Sequence, residues 1–339
     1  MLLYGGMDLH GDNVFCSLLN AKHEVVYERR LPNDLPTILQ ALEPFRERIV
    51  ALAVESTFNW YWLGDGLLRN GFATLLANPA RMQENIGLKS ANDKTDSRFL
   101  AKQVAMGVLP QGYIYPEEQR PVRDLLRRRL SLVHTRTGEW LRLESLVARH
   151  SGKDLGMHAL QCITEDELKI LLGNNELVMA MARTSREHIG FLAGKIKEIE
   201  QMVESLVKLN NNYKKLITVP GIGRILAMTI TLETGPIERF AGPGNYSSYC
   251  RAVKTEHTSN GKKKGEGNSK NGNRYLAWAY VEAANFAVRY NPELRAWYQR
   301  KAAKTKRVVA IKALANKLSK ACFFIMRDGV NFDVKKLIG

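Results

Sequence analysis

Apolar positions in the first third of the chain fall into short blocks separated by turn residues. Leu2 to Asp8 is an apolar run that ends in a carboxylate, and Val14 to Leu19 and His23 to Leu31 follow as strand-like segments. From Leu35 to Arg48 the period changes. Leu35, Ile38, Leu39, Leu42 and Phe45 recur at helical spacing. Ile49 to Val54 is a buried-type strand, again ending in a carboxylate, Glu55. Trp60 to Asn70 predicts a helix, Phe72 to Ala77 a strand, and Asp96 to Met106 another helix. Three strands, a helix, then alternating strands and helices define an α/β domain over residues 1–115, a mixed sheet with flanking helices.

Over residues 116–215 the strand signals vanish and the pattern becomes helical. One helix runs from about Leu125 through Arg142 to Leu146 and beyond. In the second, Ile189, Leu192, Ile196, Ile199, Val203 and Leu206 step by threes and fours, a heptad seam. It predicts a coiled coil, either as an antiparallel hairpin with the 125–149 stretch or between protomers. Residues 216–339 form a third, mostly α region. Its opening, Val219-Pro220-Gly221-Ile222-Gly223, reads as a helix-hairpin-helix-like turn, and the glycines let backbone amides face a phosphate. The bland reading of the same residues is a structural turn. A polar, glycine-rich loop spans Lys254 to Arg274, followed by helices over Tyr275–Tyr290 and Thr305–Arg327.

Charge changes the picture. The 339 residues carry 50 Lys+Arg against 34 Asp+Glu, a formal net charge of +16, which points to a polyanionic partner, nucleic acid before any other. Hydrophobic residues make up 45%, enough for packed cores, which excludes global disorder. No run approaches the ~18 apolar residues of a membrane span. The N-terminus lacks a basic region before its apolar run, so no signal peptide is expected. Cys16, Cys162, Cys250 and Cys322 are far apart, which argues against a disulfide framework or a zinc knuckle and for a reduced, cytoplasmic setting.

The candidate chemistry lies in carboxylates and a serine. Asp8 and Glu55 end strand-like runs, where the functional edge of an α/β sheet lies. Asp93 and Asp96, three apart, share one face of a helix start. Singly each has a plain use: Asp96 as a helix N-cap, Asp93 in an Asx-turn, Glu55 paired with an arginine. Together they repel, and divalent cations with oxygen ligands relieve that repulsion. Two such ions stabilise the attacking and leaving oxygens of a phosphoryl transfer. In the loop, seven Lys/Arg and two Glu lie between Arg251 and Arg274. Ser259 and Ser269 are both surrounded by cations that would stabilise a developing alkoxide, and spacing does not choose between them.

These residues, in this order, resemble the insertion-sequence-110 family of transposases, closest to its 1111 subgroup. The markers are Gly6-Met7-Asp8, Val54-Glu55-Ser56-Thr57, Asn92-Asp93-Lys94-Thr95-Asp96-Ser97-Arg98, Pro220-Gly221-Ile222-Gly223, Thr258-Ser259-Asn260-Gly261, Gly265-Glu266-Gly267-Asn268 and Asn273-Arg274-Tyr275-Leu276-Ala277-Trp278-Ala279. The family's usual Thr-Gly-Thr-Tyr after the glutamate reads Ser56-Thr57-Phe58-Asn59-Trp60 here. The resemblance implies an RNase H/RuvC-like domain at 1–115, a helical coiled-coil insertion at 116–215 and a C-terminal transposase domain at 216–339. It implies Mg²⁺ (or Mn²⁺) on Asp8, Glu55, Asp93 and Asp96, and Ser259 rather than Ser269 as the nucleophile of a covalent phosphoserine intermediate. It further implies donor and target DNA, an element-encoded guide RNA that supplies sequence choice by base pairing, and a homo-oligomer, dimer or tetramer, with no membrane. Arg127, Arg128, Arg129, Gly221, Gly223, Lys262, Lys263, Lys264 and Arg274 are the expected nucleic-acid contacts. Two other classes compete: a RuvC-like junction nuclease that uses metal-activated water and not Ser259, and a non-catalytic nucleic-acid scaffold.

Overall fold

In a computed structural model of the protein, every residue is described except 83–92, 208–209, 255–256, 261, 266–270 and 339. The side chains of residues 257–259, 263 and 265 are likewise outside the description. The chain divides into two compact units. One holds Met1–Glu117; the other is drawn from Glu118–Gly265 and Gly272–Gly339.

The first unit is a six-stranded sheet. Its strands are β1 (Leu3–Leu9), β2 (Asn13–Asn20), β3 (Val25–Pro32), β4 (Ile49–Glu55), β5 (Thr74–Ala77) and β6 (Gln111–Gly112), in the order β3-β2-β1-β4-β5-β6. β1, β4 and β5 are parallel, while β2, β3 and the short β6 run against their neighbours. This mixed sheet with flanking helices is the expected class, consistent with an RNase H-like fold, and β6 is the strand the pattern did not announce.

Side-chain size sorts the two faces of the sheet. Leu3, Met7, Leu52, Val54 and Leu76 pack with Ile38 and Leu42 of α1 (Leu35–Leu42) and Leu63 and Leu67 of α2 (Tyr61–Arg69). Alternate residues face the other way, and several of them are small. There Ala51, Ala53 and Ala77 meet Leu100 and Val104 of α3 (Asp93–Ala105). Gly6 belongs to this second face. A Cβ on it would overlap the carbonyl oxygen of Ser97 and come within 2.6 Å of the Ala101 nitrogen, so α3 lies with its backbone directly on β1. Two polar ties fix the helix in place. Ser17 Oγ bonds Ser97 Oγ at 2.7 Å, both buried, and Glu28 of β3 receives Arg98 at 2.5 and 3.0 Å and Lys94 at 2.9 Å.

The second unit is almost entirely helical. α4 (Arg120–Ser151) and α7 (Glu176–Val207) are 32 residues each. Arg129 pairs with Glu200 and Ser185 with Glu139, so the two helices run antiparallel, which selects the hairpin from the two coiled-coil arrangements left open by the sequence. Ile189, Leu192, Ile196 and Val203 are buried along the expected seam. Leu206 is not. It is 61% exposed, and Val207 takes its place because the last step is four residues from Val203 rather than three. Short helices α5 (Met157–Cys162) and α6 (Glu165–Leu171) close one end over Leu143, Leu146 and Val147. Thr164 and Glu167 form a reciprocal capping box at the start of α6.

The other end merges into a core with α8 (Asn211–Leu216), α9 (Arg224–Thr234), α10 (Pro243–Tyr249), α11 (Arg274–Tyr290), α12 (Pro292–Lys304), α13 (Arg307–Asp328) and α14 (Val334–Ile338). Leu126, Val203 and Val207 share one cluster with Leu216, Leu226, Leu276, Leu314 and Phe323, so the expected boundary near residue 215 falls inside a common core. α12 is a helix the periodicity missed, its charged residues hiding one buried anchor, Leu294. Asn291 caps its start, accepting from Leu294 N at 2.9 Å. The segment read as a loop after Lys254 contains a hairpin, β7 (His257–Ser259) against β8 (Lys262–Gly265). Among the described residues no helix is long and apolar enough to cross a membrane.

Candidate metal and strand-transfer site

The sheet register brings the first two carboxylates together. Met7 of β1 pairs with Val54 of the parallel β4, so Asp8 and Glu55 are the next residues on neighbouring strands, on the face covered by α3. Because α3 rests on Gly6, two residues before Asp8, its first turn delivers Asp93 and Asp96 to the same strand ends. The helix starts three residues before the expected Asp96, so both aspartates lie in its first turn, where a helix N-terminus favours negative charge.

The electrostatics record the crowding. Burial, with the Asp96 and Asp93 charges, raises Asp8 above the usual carboxylate range against the opposing effect of His10. Burial and the neighbouring Asp8 push Glu55 up to about 7. The two carboxyls are hydrogen-bonded to one another, and their crowding is what a bound cation would relieve. That donor set is what hard divalent ions take.

His10 is a residue the sequence reading passed over. Its Nε2 lies 3.2 Å from Asp8 Oδ2 and 3.4 Å from Asp93 Oδ1, and Asp8, His10 and Asp93 form a three-ligand group whose atoms all fall within 4.8 Å. The signal was available: a histidine two residues after a strand-ending aspartate projects to the same side of the chain. Arg30 of β3 also binds Asp93, at 2.7 Å. Asp93 is thus held by Arg30 and His10, while Asp8 and Glu55 hold each other.

Ser259 lies in the second unit. Ser259 is the last residue of β7 and pairs with Lys262 across Asn260-Gly261, with Asn260 at φ 51°. An Asn-Gly pair between two strands is the strongest short-range hairpin signal, and it went unread beneath the loop-like composition. The Ser259 and Lys263 side chains and residue Ser269 lie outside the described residues. Lys262 and Lys264 are exposed. So is Arg274, which lies against the Tyr275 ring at 4.9 Å.

Among the other expected contacts, Arg127 bonds Glu233 at 2.5 and 2.8 Å and Arg129 bonds Glu200 at 2.8 Å. Arg128 alone of that trio presents an exposed side chain. The arginine run alternates between the outside and the inside of a helix, a distinction composition cannot make. Gly221 has φ 86° and lies against α11, where a Cβ would overlap the Ala283 carbonyl oxygen. Gly223 is the N-cap of α9 and faces open space.

A sheet-edge set of two aspartates on one helix turn, with an aspartate and a glutamate at two parallel strand ends, is an oxygen donor set of the kind divalent cations take. A DEDD-type transposase model matches residues 5–151, and a second, described as the transposase IS116/IS110/IS902 family, matches residues 213–299, together more than half of the chain. The chain belongs to the IS110 family of transposases. It is similar to the transposase for insertion sequence element IS1328 of Yersinia enterocolitica, 25% identical over 150 residues, 43% of this chain and 45% of that one. It is similar to the transposase for IS1111A of Coxiella burnetii, 23% identical over 247 residues, 71% of this chain and 66% of that one. A probable family 20 transposase of Pseudomonas aeruginosa is 24% identical over 185 residues, 51% of this chain and 52% of that one. The matched stretch thus spans from under half to just under two thirds of these relatives' own length.

Proposed function

We propose that the protein is a DNA recombinase that transposes an insertion sequence through a covalent protein–DNA intermediate. The observation that carries this reading is the convergence of Asp8, Glu55, Asp93 and Asp96, where burial and mutual repulsion raise the Asp8 and Glu55 carboxyls. These four would hold Mg²⁺ or Mn²⁺, which when bound supplies charge neutralisation on the scissile phosphate and its leaving oxygen. His10 is placed to orient Asp8 and Asp93 or to join them as a ligand.

The Ser259 hydroxyl attacks the phosphorus of a phosphodiester. A serine–phosphorus ester forms, the bond from phosphorus to one deoxyribose oxygen breaks, and the serine proton passes to solvent or to the leaving oxygen. Attack by the free hydroxyl of a second strand reverses these steps, joins the new pair of strands and returns the serine. Lys262, Lys264, Arg274 and Arg128 supply exposed positive charge for backbone phosphates, with Lys263 and the amides around Gly223 as further contacts. A guide RNA encoded by the element selects donor and target by base pairing, and the protein works in the cytoplasm as a homo-oligomer.

The test is adduct trapping. Protein, guide RNA, Mg²⁺ and a suicide DNA substrate are mixed, and covalent protein–DNA species are sought under denaturing conditions. Adduct is expected with the unmutated chain and none with Ser259→Ala or Asp8→Asn. Normal cleavage by Ser259→Ala without adduct establishes the water-using junction nuclease instead. Binding without cleavage by the unmutated chain establishes the scaffold. Mixing Ser259→Ala with Asp8→Asn chains then reads whether serine and carboxylates come from different protomers: regained activity means that they do.

A further inference from the structure

The excursion that carries Ser259 lies in sequence between the end of α10 at Tyr249 and the cap of α11 at Asn273, and its two ends are tied together. Asn273 N donates to Tyr249 O at 2.6 Å, and the Arg251 guanidinium donates to Gly272 O at 3.1 Å. Gly272, at φ 93°, lies so close that a Cβ would come within 2.5 Å of Tyr249 O. Only a residue without a side chain fits that conformation and that gap.

Asn273, 7% exposed, then performs two tasks with one amide. Its oxygen accepts from Tyr275 N at 2.8 Å and Leu276 N at 3.1 Å, capping α11. Its nitrogen donates at 2.7 Å to Glu233 in the last turn of α9. Glu233 is 2% exposed and also receives Arg127 and, at 3.0 Å, Arg123 from α4. Burial works against the Glu233 charge. Arg127, Arg123 and Asn273 overcome it and hold the carboxyl below its usual range. Arg127 further stacks on the Tyr275 ring at 4.5 Å. One buried carboxylate therefore joins α4, α9 and α11 at the residue where the excursion is rooted. Apolar packing would serve stability there as well as a buried ion pair does. Apolar packing would not orient an amide.

We propose that Glu233 is a positioning residue for strand transfer: through Asn273 it fixes the root of the 251–272 excursion, and so the place from which Ser259 works. This rests on the reading of Ser259 as nucleophile.

The test removes the hydrogen bond in two ways. Asn273→Asp keeps a good helix cap but sets two carboxylates face to face. Asn273→Ser also keeps a good cap, takes away the amide donor to Glu233 and leaves both arginines on Glu233 Oε2. Amide hydrogen exchange is followed over residues 249–275 and over α13, alongside single-turnover adduct formation at saturating DNA, with guide RNA and Mg²⁺ present.

Asn273→Asp is expected to raise exchange at least fivefold over 249–275 with α13 unchanged. It should slow adduct formation at least tenfold with DNA affinity held within twofold. Asn273→Ser should show both changes in smaller measure. The proposal is overturned if exchange and rate stay as in the unmutated chain, or if α13 loosens equally, which is general destabilisation. If Asn273→Asp does not fold, Asn273→Ser takes the same measurements, and unchanged exchange and rate there overturn it. Exchange needs no chemistry. If the unmutated chain forms no adduct, the nucleophile assignment fails while the exchange result still decides whether Glu233 orders the root.

Discussion

Gly6 of β1 and Ser97 of α3 are in backbone contact, the glycine Cα lying against the serine carbonyl. This contact sets the height of α3 above the sheet and therefore the reach of Asp93 and Asp96 toward Asp8. Gly6→Ala would have to lift the helix, an overpacking cost of about 1–3 kcal/mol. Thermal unfolding should fall accordingly, and calorimetric Mg²⁺ affinity should drop at least tenfold. The same change at Gly11, which faces open space, should leave metal affinity unaltered.

Metal binding should depend on pH in a definite direction. Glu55 titrates at about 7 in the folded, metal-free protein, well above its ordinary value, because of burial and Asp8. Between the ordinary value and 7 the folded state holds a proton that the unfolded state has released. Metal-free stability should therefore decline as pH rises through that window. A divalent cation must displace the proton, so its affinity should rise from pH 6 to 8 and then level off. Mn²⁺ titrations across that range, with Tm read with and without metal, check both signs. A larger metal-induced gain in Tm at pH 6 than at pH 8 would sink the argument.

His10 should leave a spectroscopic trace. With Nε2 within 3.4 Å of ligand oxygens on Asp8 and Asp93, it can enter the coordination sphere of a bound ion. Pulsed electron paramagnetic resonance on the Mn²⁺ form should show nitrogen coupling that disappears in His10→Ala, with Mn²⁺ affinity falling more than Mg²⁺ affinity, since imidazole suits the softer ion.

The two glycines of the Val219–Gly223 turn should separate structure from binding. Gly221→Ala meets both a positive φ and the α11 backbone, and is expected to lower stability by about 1–3 kcal/mol. Gly223→Ala has open space and an ordinary φ, so its cost should be that of a weaker N-cap alone, about 1 kcal/mol or less. Any loss of DNA affinity in Gly223→Ala then reports on the turn's amides rather than on folding.

Much of the first unit was legible because its signals are local. Strands that alternate or run apolar, and carboxylates that close them, announce themselves in the order in which they occur. Asp8 and Glu55 could be placed at strand ends from that order, but their shared edge needed the pairing of β1 with β4. What was not legible depends on which residue meets which across the fold. His10 acquires its meaning from Asp93, 83 positions away, and Glu233 from Asn273 and two arginines on another helix. The arginine run at 127–129 shows the same limit, since helix phase decides which of the three turns inward. α12 escaped because a helix anchored by a single buried leucine has almost no period to read.

The α4–α7 pair has its own consequence for assembly. Helices of 32 residues extend about 48 Å. The small apolar cluster under α5 and α6 is therefore carried far from the main core of the unit, on an arm stiffened along most of its length. Partway along, Glu139 is buried among Arg142, Ser185 and His188. Sliding one helix past the other by a turn, about 5.4 Å, would strand that carboxylate against the apolar seam. The arm behaves as a ruler with its scale locked, so whatever is fastened to its far end is held at a fixed distance as well as in a fixed direction.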